Sequence, residues 1–396
     1  MVKRKICIVT GTRAEYGLLR PLVAKVAESA TTTLQLVVTG MHLSPEFGLT
    51  YRQIEADGFT ITRKVESLLS SDTPAGIGKS TGLGVIGFAD ALQDLQPDLL
   101  VLLGDRFEIL AAAVAALYAR IPVAHIHGGE TTEGAFDEGI RHAISKMSHL
   151  HFVVAADYRR RVIQLGEDPA WVFQVGGLGV DGIRHTRLLG RDDLEEALGF
   201  ELGARNLLLT FHPVTLEAGT AEEQVDALLD ACRHLDSDIH FLFTLPNADT
   251  GGRVIIEKIE AFVGEMGRRA HAATSLGQVK YWSALQHVDA VVGNSSSGLL
   301  EAPTFKVGTV NIGDRQKGRL MPTSVINCEP TSGAIEDAIC KVLGDSFREI
   351  VRRTENPLGD GGASERIFEV ISSVELDAQL IKKHFHDLPA GEGSGE

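Results

Sequence analysis

Short apolar runs recur along the whole chain, and each ends at a glycine or a polar residue before a helical pattern begins. Runs rich in Val, Ile and Leu are typical of parallel strands that are buried on both faces of a sheet. Their alternation with helical patterns, for example at residues 18–28 and 109–118, predicts an α/β fold with doubly wound sheets. The predicted strands are residues 6–10, 36–39, 99–103, 123–126, 152–154, 172–175, 207–211, 239–244, 290–292, 307–311 and 325–328.

The predicted strands fall into two groups, and 396 residues are more than a single core usually contains. The glycine-rich residues 176–182 lie between the groups and suit a hinge. We therefore predict an N-terminal domain over residues 1–185 and a C-terminal domain over residues 186–375. Residues 384–396 are polar and contain several glycines, which predicts a disordered tail.

Composition and charge narrow the possible partners. Hydrophobic residues make up 44% of the chain and charged residues 23%, as in ordinary globular proteins. The net charge of −15 disfavours nucleic acid, so any phosphate group would have to be held by local cations. The four cysteines are too far apart for a zinc knuckle or a disulfide framework. No apolar run approaches the length of a membrane span, so we expect a cytoplasmic protein without a membrane partner.

Candidate chemistry follows the predicted strands, because ligands bind at the carboxyl ends of strands in open parallel sheets. Residues 11–17 read Gly-Thr-Arg-Ala-Glu-Tyr-Gly, in which Arg13 suits an anion, although an exposed arginine in an ordinary turn fits equally well. Residues 104–108 place Asp105 beside Arg106, and the alternative role for this aspartate is to cap the next helix.

Two histidines and a helical charge pair follow along the chain. His125 and His127 lie on one face of a predicted strand and fit metal ligands, acid/base groups or core histidines. Asp137 and Arg141 are one helical turn apart, a spacing that also fits a simple ion pair on a helix surface.

The second group of strands is followed by residues that suit phosphate binding. His212 begins the segment His-Pro-Val-Thr, and Asn247 follows the next strand. Residues 293–298 read Gly-Asn-Ser-Ser-Ser-Gly directly after a strand, so that backbone N–H groups and hydroxyls are available to oxygens. A plain helix-capping turn is the alternative for this segment.

Residues 82–87, Gly-Leu-Gly-Val-Ile-Gly, match the letters of a dinucleotide-binding fingerprint. They follow a polar stretch and not a predicted strand, so the required structural context is missing. We therefore predict no nicotinamide cofactor.

Several ordered segments together resemble the hydrolysing UDP-N-acetylglucosamine 2-epimerase family, of the sialic-acid type that releases a free sugar. The resemblance extends from about residue 5 to about residue 370, and its segments are residues 11–17, 104–106, 125–130, 140–144, 212–215, 293–296 and 311–316. It implies two Rossmann-like domains of the GT-B type, with the active site in the interdomain cleft. It also implies that the chemistry uses no metal or other cofactor, and that the protein is a homo-oligomer, a dimer or a tetramer.

The chemistry implied by the resemblance has two steps. UDP is eliminated as a base removes the proton at C2 of the sugar, and water then adds to the resulting glycal to give the 2-epimer. These steps need acid/base groups near C2 and groups that stabilise the departing diphosphate.

The resemblance also implies which residues act. Asp105 and Asp137 match catalytic carboxylates, with Arg106 and Arg141 beside them, and His42 matches a sugar-side histidine. His212 matches a histidine that is catalytic or faces the diphosphate. The further residues predicted to bind the nucleotide sugar are Arg13, Asn247, Asn294, Ser295, Ser296, Glu301 and Arg315.

One position departs from the family pattern. Many members carry a glutamate where this chain has His127, and here Glu130 follows three residues later. A histidine exchanges protons near neutral pH, so we hypothesise that His127 and Glu130 share the acid/base role.

The sequence leaves alternatives open for the substrate and for the function. The sugar is that of UDP-N-acetylglucosamine, giving N-acetylmannosamine, or that of UDP-N,N'-diacetylbacillosamine on a route to legionaminic acid, and GDP remains possible as the nucleotide. Other classes are a GT-B glycosyltransferase, a nucleotide-sugar sensor without turnover and a metal hydrolase built on the two strand histidines.

Overall fold

A computed structural model describes residues 3–71, 73–131, 137–212, 220–245, 252–274 and 276–388. The chain divides into two compact units. Unit 1 takes the residues up to Gly182 and those from Gly361 onward, and unit 2 takes Ile183–Asp360. None of the helices in the described ranges is long and apolar enough to cross a membrane.

Unit 1 is built on a parallel sheet that has seven strands in the described residues, in the order β3-β2-β1-β4-β5-β6-β7. Its strands are β1 (Arg4–Thr10), β2 (Thr32–Thr39), β3 (Ile61–Val65), β4 (Leu99–Leu103), β5 (Val123–Ile126), β6 (Leu150–Val153) and β7 (Val172–Gln174).

Unit 2 repeats this topology with six described strands, in the order β10-β9-β8-β11-β12-β13, and all of them are parallel. They are β8 (Arg205–Thr210), β9 (Ile239–Thr244), β10 (Ala270–Ala273), β11 (Ala290–Gly293), β12 (Gly308–Ile312) and β13 (Val325–Cys328). The prediction of two Rossmann-like sheets is confirmed.

Helices lie between most of the successive strands and follow the last one. They are α1 (Arg13–Glu28), α2 (Tyr51–Ala56), α3 (Pro74–Leu95), α4 (Phe107–Ala119), α5 (Asp137–Met147), α6 (Ala156–Gln164), α7 (Leu178–His185), α8 (Arg191–Leu198), α9 (Thr220–His234), α10 (Gly252–Met266), α11 (Gly277–Leu285), α12 (Ser297–Leu300), α13 (Ser332–Leu343), α14 (Asp345–Arg353), α15 (Ala363–Ser373) and α16 (Ala378–Ile381).

Strand β1 shows why continuous apolar runs form the centre of each sheet. Ile6 and Ile8 enter one apolar cluster together with Leu19 of α1, whereas Cys7 and Val9 enter a second cluster on the opposite face. All four strand residues are fully buried. Burial of a side chain of this size stabilises the fold by about 1.5–3 kcal/mol, so both faces of the strand have to be apolar.

Each predicted strand overlaps a strand of the structure, but the sequence pattern missed β3 and β10. Both lie at an edge of their sheet, where one side of the strand has no strand neighbour. Strand β3 reads Ile-Thr-Arg-Lys-Val with an exposed centre, and β10 reads Ala-His-Ala-Ala. Neither is a continuous apolar run, because an edge strand is only partly covered.

The C-terminal segment differs from its predicted place. Residues 361–375, which the sequence pattern assigns to the second domain, belong to unit 1. The buried carboxylate of Asp181 accepts hydrogen bonds from the backbone N–H groups of Ala363 (2.8 Å) and Ser364 (2.6 Å), at the start of α15. Near the other end of that helix, Arg4 donates to the carbonyl of Ile371 at 2.7 Å.

The first residues of the predicted disordered tail, and Lys383 just before it, form defined contacts. Lys383 Nζ lies 2.6 Å from the buried carboxylate of Glu167, and the N–H of His386 donates to the carbonyl of Gly166 at 3.0 Å. Residues 384–388 therefore lie against unit 1, and residues 389–396 lie outside the described residues.

Candidate active site

Both sheets reverse their strand order at one point, between β1 and β4 in unit 1 and between β8 and β11 in unit 2. Adjacent strands whose connections run to opposite sides leave a crevice at their carboxyl ends, which is where ligands bind in such folds. The residues that follow these four strands, and those that follow β5 and β12, include most of the residues predicted from the sequence.

The loop after β1 is held by a reciprocal cap at the start of α1. Thr12 accepts a hydrogen bond from the N–H of Glu15 at 3.2 Å, and the Glu15 carboxylate accepts one from the N–H of Gly11 at 2.7 Å. Arg13, the first residue of α1, is exposed. The cap fixes the backbone and leaves the Arg13 side chain at the surface.

Arg106 is held by two carboxylates that sequence reasoning did not select. Its Nε and Nη2 atoms lie 3.2 and 3.1 Å from the carboxylate oxygens of Glu108, and its Nε lies 3.7 Å from Glu15 Oε1. Glu108 is almost fully buried. Both glutamates belong to segments that the sequence singled out, Gly-Thr-Arg-Ala-Glu and Gly-Asp-Arg-Phe-Glu, so position in a motif was the available signal.

Glu15 is a buried acid whose proton affinity is shifted into the neutral range. Burial raises the pKa of its carboxyl to about 7, although the hydrogen bond from Gly11 and the charge of Arg106 act in the opposite direction. The nearby carboxylate of Glu108 adds to the rise.

Asp105 pairs with Arg141 and not with its neighbour Arg106. Its carboxylate forms an ion pair with Nη2 of Arg141, and Nη1 of Arg141 donates to the carbonyl of Glu130 at 2.9 Å. The first residue of the next helix is preceded by Arg106 at the capping position, so Asp105 does not cap α4. The guanidinium of Arg141 thus joins the loop after β4 to the loop after β5.

Burial raises the pKa of Asp105 above its ordinary range. The Arg141 charge opposes this rise, whereas the nearby carboxylates of Asp137 and Glu130 add to it. Asp137, the first residue of α5, is therefore close enough to share the electrostatic field of Asp105.

His127 and Glu130 form a second pair at the end of β5. His127 Nδ1 lies 3.1 Å from Glu130 Oε1, and both side chains are partly exposed. His127 adopts a left-handed backbone with φ of +67°, which is uncommon for a residue other than glycine and turns the chain out of the strand. Its Nε2 atom is buried and has no hydrogen-bond partner among the described residues.

His125 is a core histidine. Its Nε2 and Nδ1 atoms lie 2.8 Å from the carbonyl oxygen of Gly104 and 3.0 Å from the hydroxyl of Ser145. The side chain is fully buried, and burial lowers its pKa to about 3. Of the three roles open from the sequence, the structure favours a neutral histidine that joins β5, the end of β4 and α5.

His42, predicted to lie on the sugar side, is fully buried. Its Nε2 atom lies 3.1 Å from the hydroxyl of Thr10, and its Nδ1 atom lies 2.8 Å from the hydroxyl of Thr50. Burial lowers its pKa to about 4. With both ring nitrogens engaged inside unit 1, His42 supports the carboxyl end of β1 from within.

In unit 2 the side-chain amide of Asn294 ties two strand ends together. Its Oδ1 atom accepts from the N–H of His212 at 2.7 Å, and its Nδ2 atom donates to the carbonyl of His212 at 2.8 Å. Asn294 is fully buried. It therefore positions the His212 backbone after β8 relative to the end of β11.

Strand β11 requires glycine at its last residue. Gly293 has φ of +135°, and a Cβ at this position would lie 2.0 Å from the carbonyl oxygen of Thr210 in the neighbouring strand. Ser295 and Ser296 follow the amide and are partly exposed. Ser296 stands at the start of α12, and its side chain forms no capping hydrogen bond within the described residues.

Arg315 contacts the predicted nucleotide-binding segment, whereas Glu301 contacts a residue of α11. Arg315 Nη1 donates to the carbonyl of Asn294 at 3.0 Å, and Gln316 Nε2 donates to the same oxygen at 2.8 Å. Glu301 Oε1 accepts from the indole N–H of Trp282 at 2.8 Å. Trp282 is nearly fully buried, and no motif in the sequence pointed to it.

Within unit 1 the structure links Asp105, His127, Glu130 and Arg141, and within unit 2 it links His212, Asn294 and Arg315. The described contacts of His42, Arg106 and Glu301 are with other residues of their own units. Asn247 lies outside the described residues, as do the residues that follow His212 in its segment. Among the residues that are described, no group of three or more His, Cys, Asp or Glu side chains is arranged to hold a metal ion.

Comparison with known proteins gives the family. The profile of the family described as UDP-N-acetylglucosamine 2-epimerase matches residues 24–372. A Campylobacter jejuni protein named GDP/UDP-N,N'-diacetylbacillosamine 2-epimerase (hydrolyzing) is 41% identical over 98% of this chain and 100% of its own length. The polysialic acid biosynthesis protein P7 of Escherichia coli is 37% identical over 98% of both chains.

A solved structure supports the fold. The UDP-GlcNAc 2-epimerase of Neisseria meningitidis, crystallised with UDP-GlcNAc, superposes with a TM-score of 0.75 at 18% identity, over 93% of this chain and 99% of that one. This likeness confirms the predicted architecture of two Rossmann-like domains. The profile match and the two relatives, which extend over nearly the whole chain, establish that it belongs to the hydrolysing UDP-N-acetylglucosamine 2-epimerase family.

Proposed function

We propose that this protein is a hydrolysing 2-epimerase of a UDP-2-acetamido sugar, and that its proton chemistry is carried out by residues of unit 1. The observation that carries the proposal is the network at the ends of β4 and β5. There the Asp105–Arg141 and His127–Glu130 pairs are joined through the hydrogen bond from Arg141 to the Glu130 carbonyl. Two linked pairs of ionisable groups provide more than one proton-exchanging group within a small space.

The first step removes the proton from C2 of the sugar. The electron pair of the C2–H bond forms the C1–C2 double bond, and the C1–O bond breaks so that UDP leaves with the electron pair of that C1–O bond. We assign the base to Glu130, with His127 hydrogen-bonded to it at 3.1 Å. A histidine beside the carboxylate is able to take the proton onward, which keeps the pair ready for the next step.

The second step adds water to the glycal. Hydroxide from water bonds to C1, and a proton is delivered to C2 on the face opposite to the one from which the first proton left. We assign the proton donor to Asp105, because burial and neighbouring carboxylates raise its pKa and a protonated carboxyl can donate. The sum of both steps is nucleotide sugar plus water giving the free 2-epimer and UDP.

Cationic and hydrogen-bonding groups are available for the diphosphate. In unit 1 we propose Arg13 and Arg106 as groups that suit phosphate oxygens, and in unit 2 we propose Arg315, Ser295 and Ser296. Arg106 is oriented by Glu108 and Glu15, and Arg315 by the carbonyl of Asn294, so the binding geometry of both is partly set in advance. Such local cations are necessary because the chain as a whole carries a net charge of −15.

For the sugar we favour the 2,4-diacetamido substrate over N-acetylglucosamine. The relative named for N,N'-diacetylbacillosamine is 41% identical to this chain. Both sugars belong in the first experiment, and each is offered with UDP and with GDP.

The test is proton NMR of the reaction in D2O with these nucleotide sugars and no acceptor. We expect release of the nucleotide and of a free 2-epimer that carries deuterium at C2. Nucleotide release that depends on an added acceptor would identify a glycosyltransferase, and binding without turnover would identify a sensor. Loss of activity in EDTA would favour a metal-dependent hydrolase, contrary to the proposed mechanism.

A further inference from the structure

The C-terminal segment of the chain, residues 378–388, lies on unit 1 close to the end of helix α5. Leu380 is buried in an apolar cluster of that unit. The ring of Phe385 lies against Gly166, where a Cβ would overlap it, and the N–H of His386 donates to the Gly166 carbonyl at 3.0 Å. These contacts hold the segment in place, although the composition of its last residues predicts disorder.

Lys383 joins this segment to the C-terminal end of α5. Its Nζ atom donates to the carbonyl of Lys146 at 2.9 Å and to that of Ser148 at 2.5 Å. A third contact, at 2.6 Å, is with the buried carboxylate of Glu167. Three acceptors satisfy the three hydrogens of an ammonium group. A positive charge at this place also complements the negative C-terminal end of the helix dipole.

Glu167 remains ionised beneath this contact. Its Oε1 atom lies 2.8 Å from Nζ of Lys146, and its Oε2 atom lies 2.8 Å from Nε2 of His151 in β6. Burial opposes ionisation, but the hydrogen bonds from His151, Lys146 and Lys383 lower the pKa of the carboxyl to about 2. The charge of Glu167 is therefore constant near neutral pH, and the contact with Lys383 is permanent there.

Helix α5 carries an active-site group near its other end. Arg141, in its second turn, pairs with Asp105 and donates to the carbonyl of Glu130. The helix has 11 residues, or a length of about 16 Å, so a shift at one end is passed to the other.

The middle of α5 is held by one apolar and one polar contact. Ile144 packs in an apolar cluster, and the hydroxyl of Ser145 lies 3.0 Å from Nδ1 of His125. Apolar packing is non-directional, so the hydrogen bonds determine where the helix lies along its own axis. Lys383 supplies two of these bonds, and both are at the backbone of the helix end.

We propose that Lys383 is a positioning residue for the reaction, which holds the C-terminal end of α5 so that Arg141 meets Asp105. Through the same guanidinium it also sets the place of the Glu130 carbonyl. This inference rests on the proposed function, because it takes Asp105 and Glu130 as groups that exchange protons. The C-terminal segment thereby becomes part of the framework of the active site.

The test compares Lys383→Met with the wild type and with Lys382→Met, each as the full chain. Methionine keeps the length of the side chain but removes the ammonium group. Glu167 keeps its contacts with Lys146 and His151, so we expect the fold to be retained, and thermal melts check this. Lys382 is the matched control, since it is exposed and its side chain forms no ion pair or hydrogen bond within the described residues.

Lys383→Met is expected to lower kcat about tenfold and to leave KM within about twofold. Burial raises the pKa of Asp105 and the charge of Arg141 opposes this rise, so a displaced Arg141 leaves the pKa higher. The alkaline limb of kcat, where the proton donor is lost, should therefore move to higher pH. A loss of folded protein alone would lower the rate without moving this limb. Lys382→Met is expected to match the wild type in kcat, KM and pH profile.

Hydrogen exchange of residues 137–148 tests the same contact without turnover. The amides of this segment are expected to exchange about tenfold faster in Lys383→Met, whereas those of β1 keep their wild-type rates. A wild type that releases no nucleotide from any nucleotide sugar would refute the proposed function, and hydrogen exchange would still decide whether Lys383 holds α5. Wild-type kcat, an unmoved alkaline limb or wild-type exchange of α5 in Lys383→Met would overturn the inference.

Discussion

Each sheet reverses its strand order at one point, between β1 and β4 in unit 1 and between β8 and β11 in unit 2. The two points share one topology, but the residues that follow their strands differ in chemistry. In unit 1 the strand ends carry ionisable side chains in buried or half-buried pairs, such as Asp105 with Arg141. In unit 2 the corresponding ends are joined by a neutral amide, Asn294, which bonds to the backbone of His212. The shared strand order therefore positions a site in each unit, whereas the side chains placed there determine what the site does.

This difference suggests that proton transfer and ligand recognition are divided between the two units. Ionisable groups with shifted pKa values suit proton transfer, whereas amides, hydroxyls and backbone groups suit the fixed recognition of oxygens. We therefore expect substitutions of the paired ionisable groups in unit 1 to act on kcat and on pH dependence, and substitutions in unit 2 to act on KM.

The largest effect is expected for Asp105→Asn. The amide keeps the shape of the side chain and its contact with Arg141, but it does not exchange a proton, so kcat should fall by about 10²–10⁴ with little change in KM. Asp98→Asn is the control. Asp98 lies just before β4, at the other end of the strand from Asp105, and its carboxylate accepts a hydrogen bond from the N–H of Lys5. A loss confined to KM would contradict the division between the units.

The next effect concerns stability and pH. The folded-state pKa of Glu15, about 7, lies above its ordinary value of 4.5, so the folded protein retains a proton that the unfolded chain loses. The free energy of unfolding contributed by Glu15 should therefore fall as the pH rises from about 4.5 to about 7, by up to ~3 kcal/mol.

Glu15→Gln removes this titration, so the variant should gain stability relative to the wild type between pH 5 and pH 8. Urea unfolding at both pH values measures the difference. His42 and His125 have lowered pKa values and lose stability as the pH falls below about 6.5, but both proteins share them, so their contribution cancels. An equal pH dependence in both proteins would show that Glu15 is not the buried acid described here.

A smaller effect is expected for Asn294→Ala in unit 2. The variant loses both hydrogen bonds to His212 and leaves that backbone unpaired, which should raise KM about tenfold and leave kcat within about threefold. Asn294→Asp keeps an acceptor for the His212 N–H and is expected to lie between the alanine variant and the wild type. Steady-state kinetics with the preferred sugar measures both constants. A fall in kcat alone would contradict the expectation that substitutions in unit 2 act on KM.

The smallest effect is expected for Trp282→Phe. The ring still fills the core, but the N–H that holds Glu301 at 2.8 Å is lost, so the affinity for the free nucleotide should fall about fivefold, or ~1 kcal/mol. Titration calorimetry with UDP measures this change. Trp171→Phe in unit 1 is the control and should leave UDP affinity unchanged.

Particular elements show which parts of the fold could be predicted from the sequence. The central strands were predictable because a strand covered on both faces has to be a continuous apolar run, as β1 and β4 are. Strands β3 and β10 escaped because their sequences, Ile-Thr-Arg-Lys-Val and Ala-His-Ala-Ala, are not continuous apolar runs. The return of residues 361–388 to unit 1 also escaped, because a pairing such as Asp181 with the start of α15 joins residues far apart in the chain.

Local pattern and the order of motifs predict the fold class, the family and the segments expected to carry the chemistry. Which side chains pair follows from the folded structure alone. It set Asp105 against Arg141 and not against its neighbour Arg106, enclosed His42 and His125 as neutral supports, and brought Glu15 and Glu108 around Arg106. Pairing depends on distances between loops that are remote in sequence, and burial, which sets the proton affinity of each group, exists only once the core has formed.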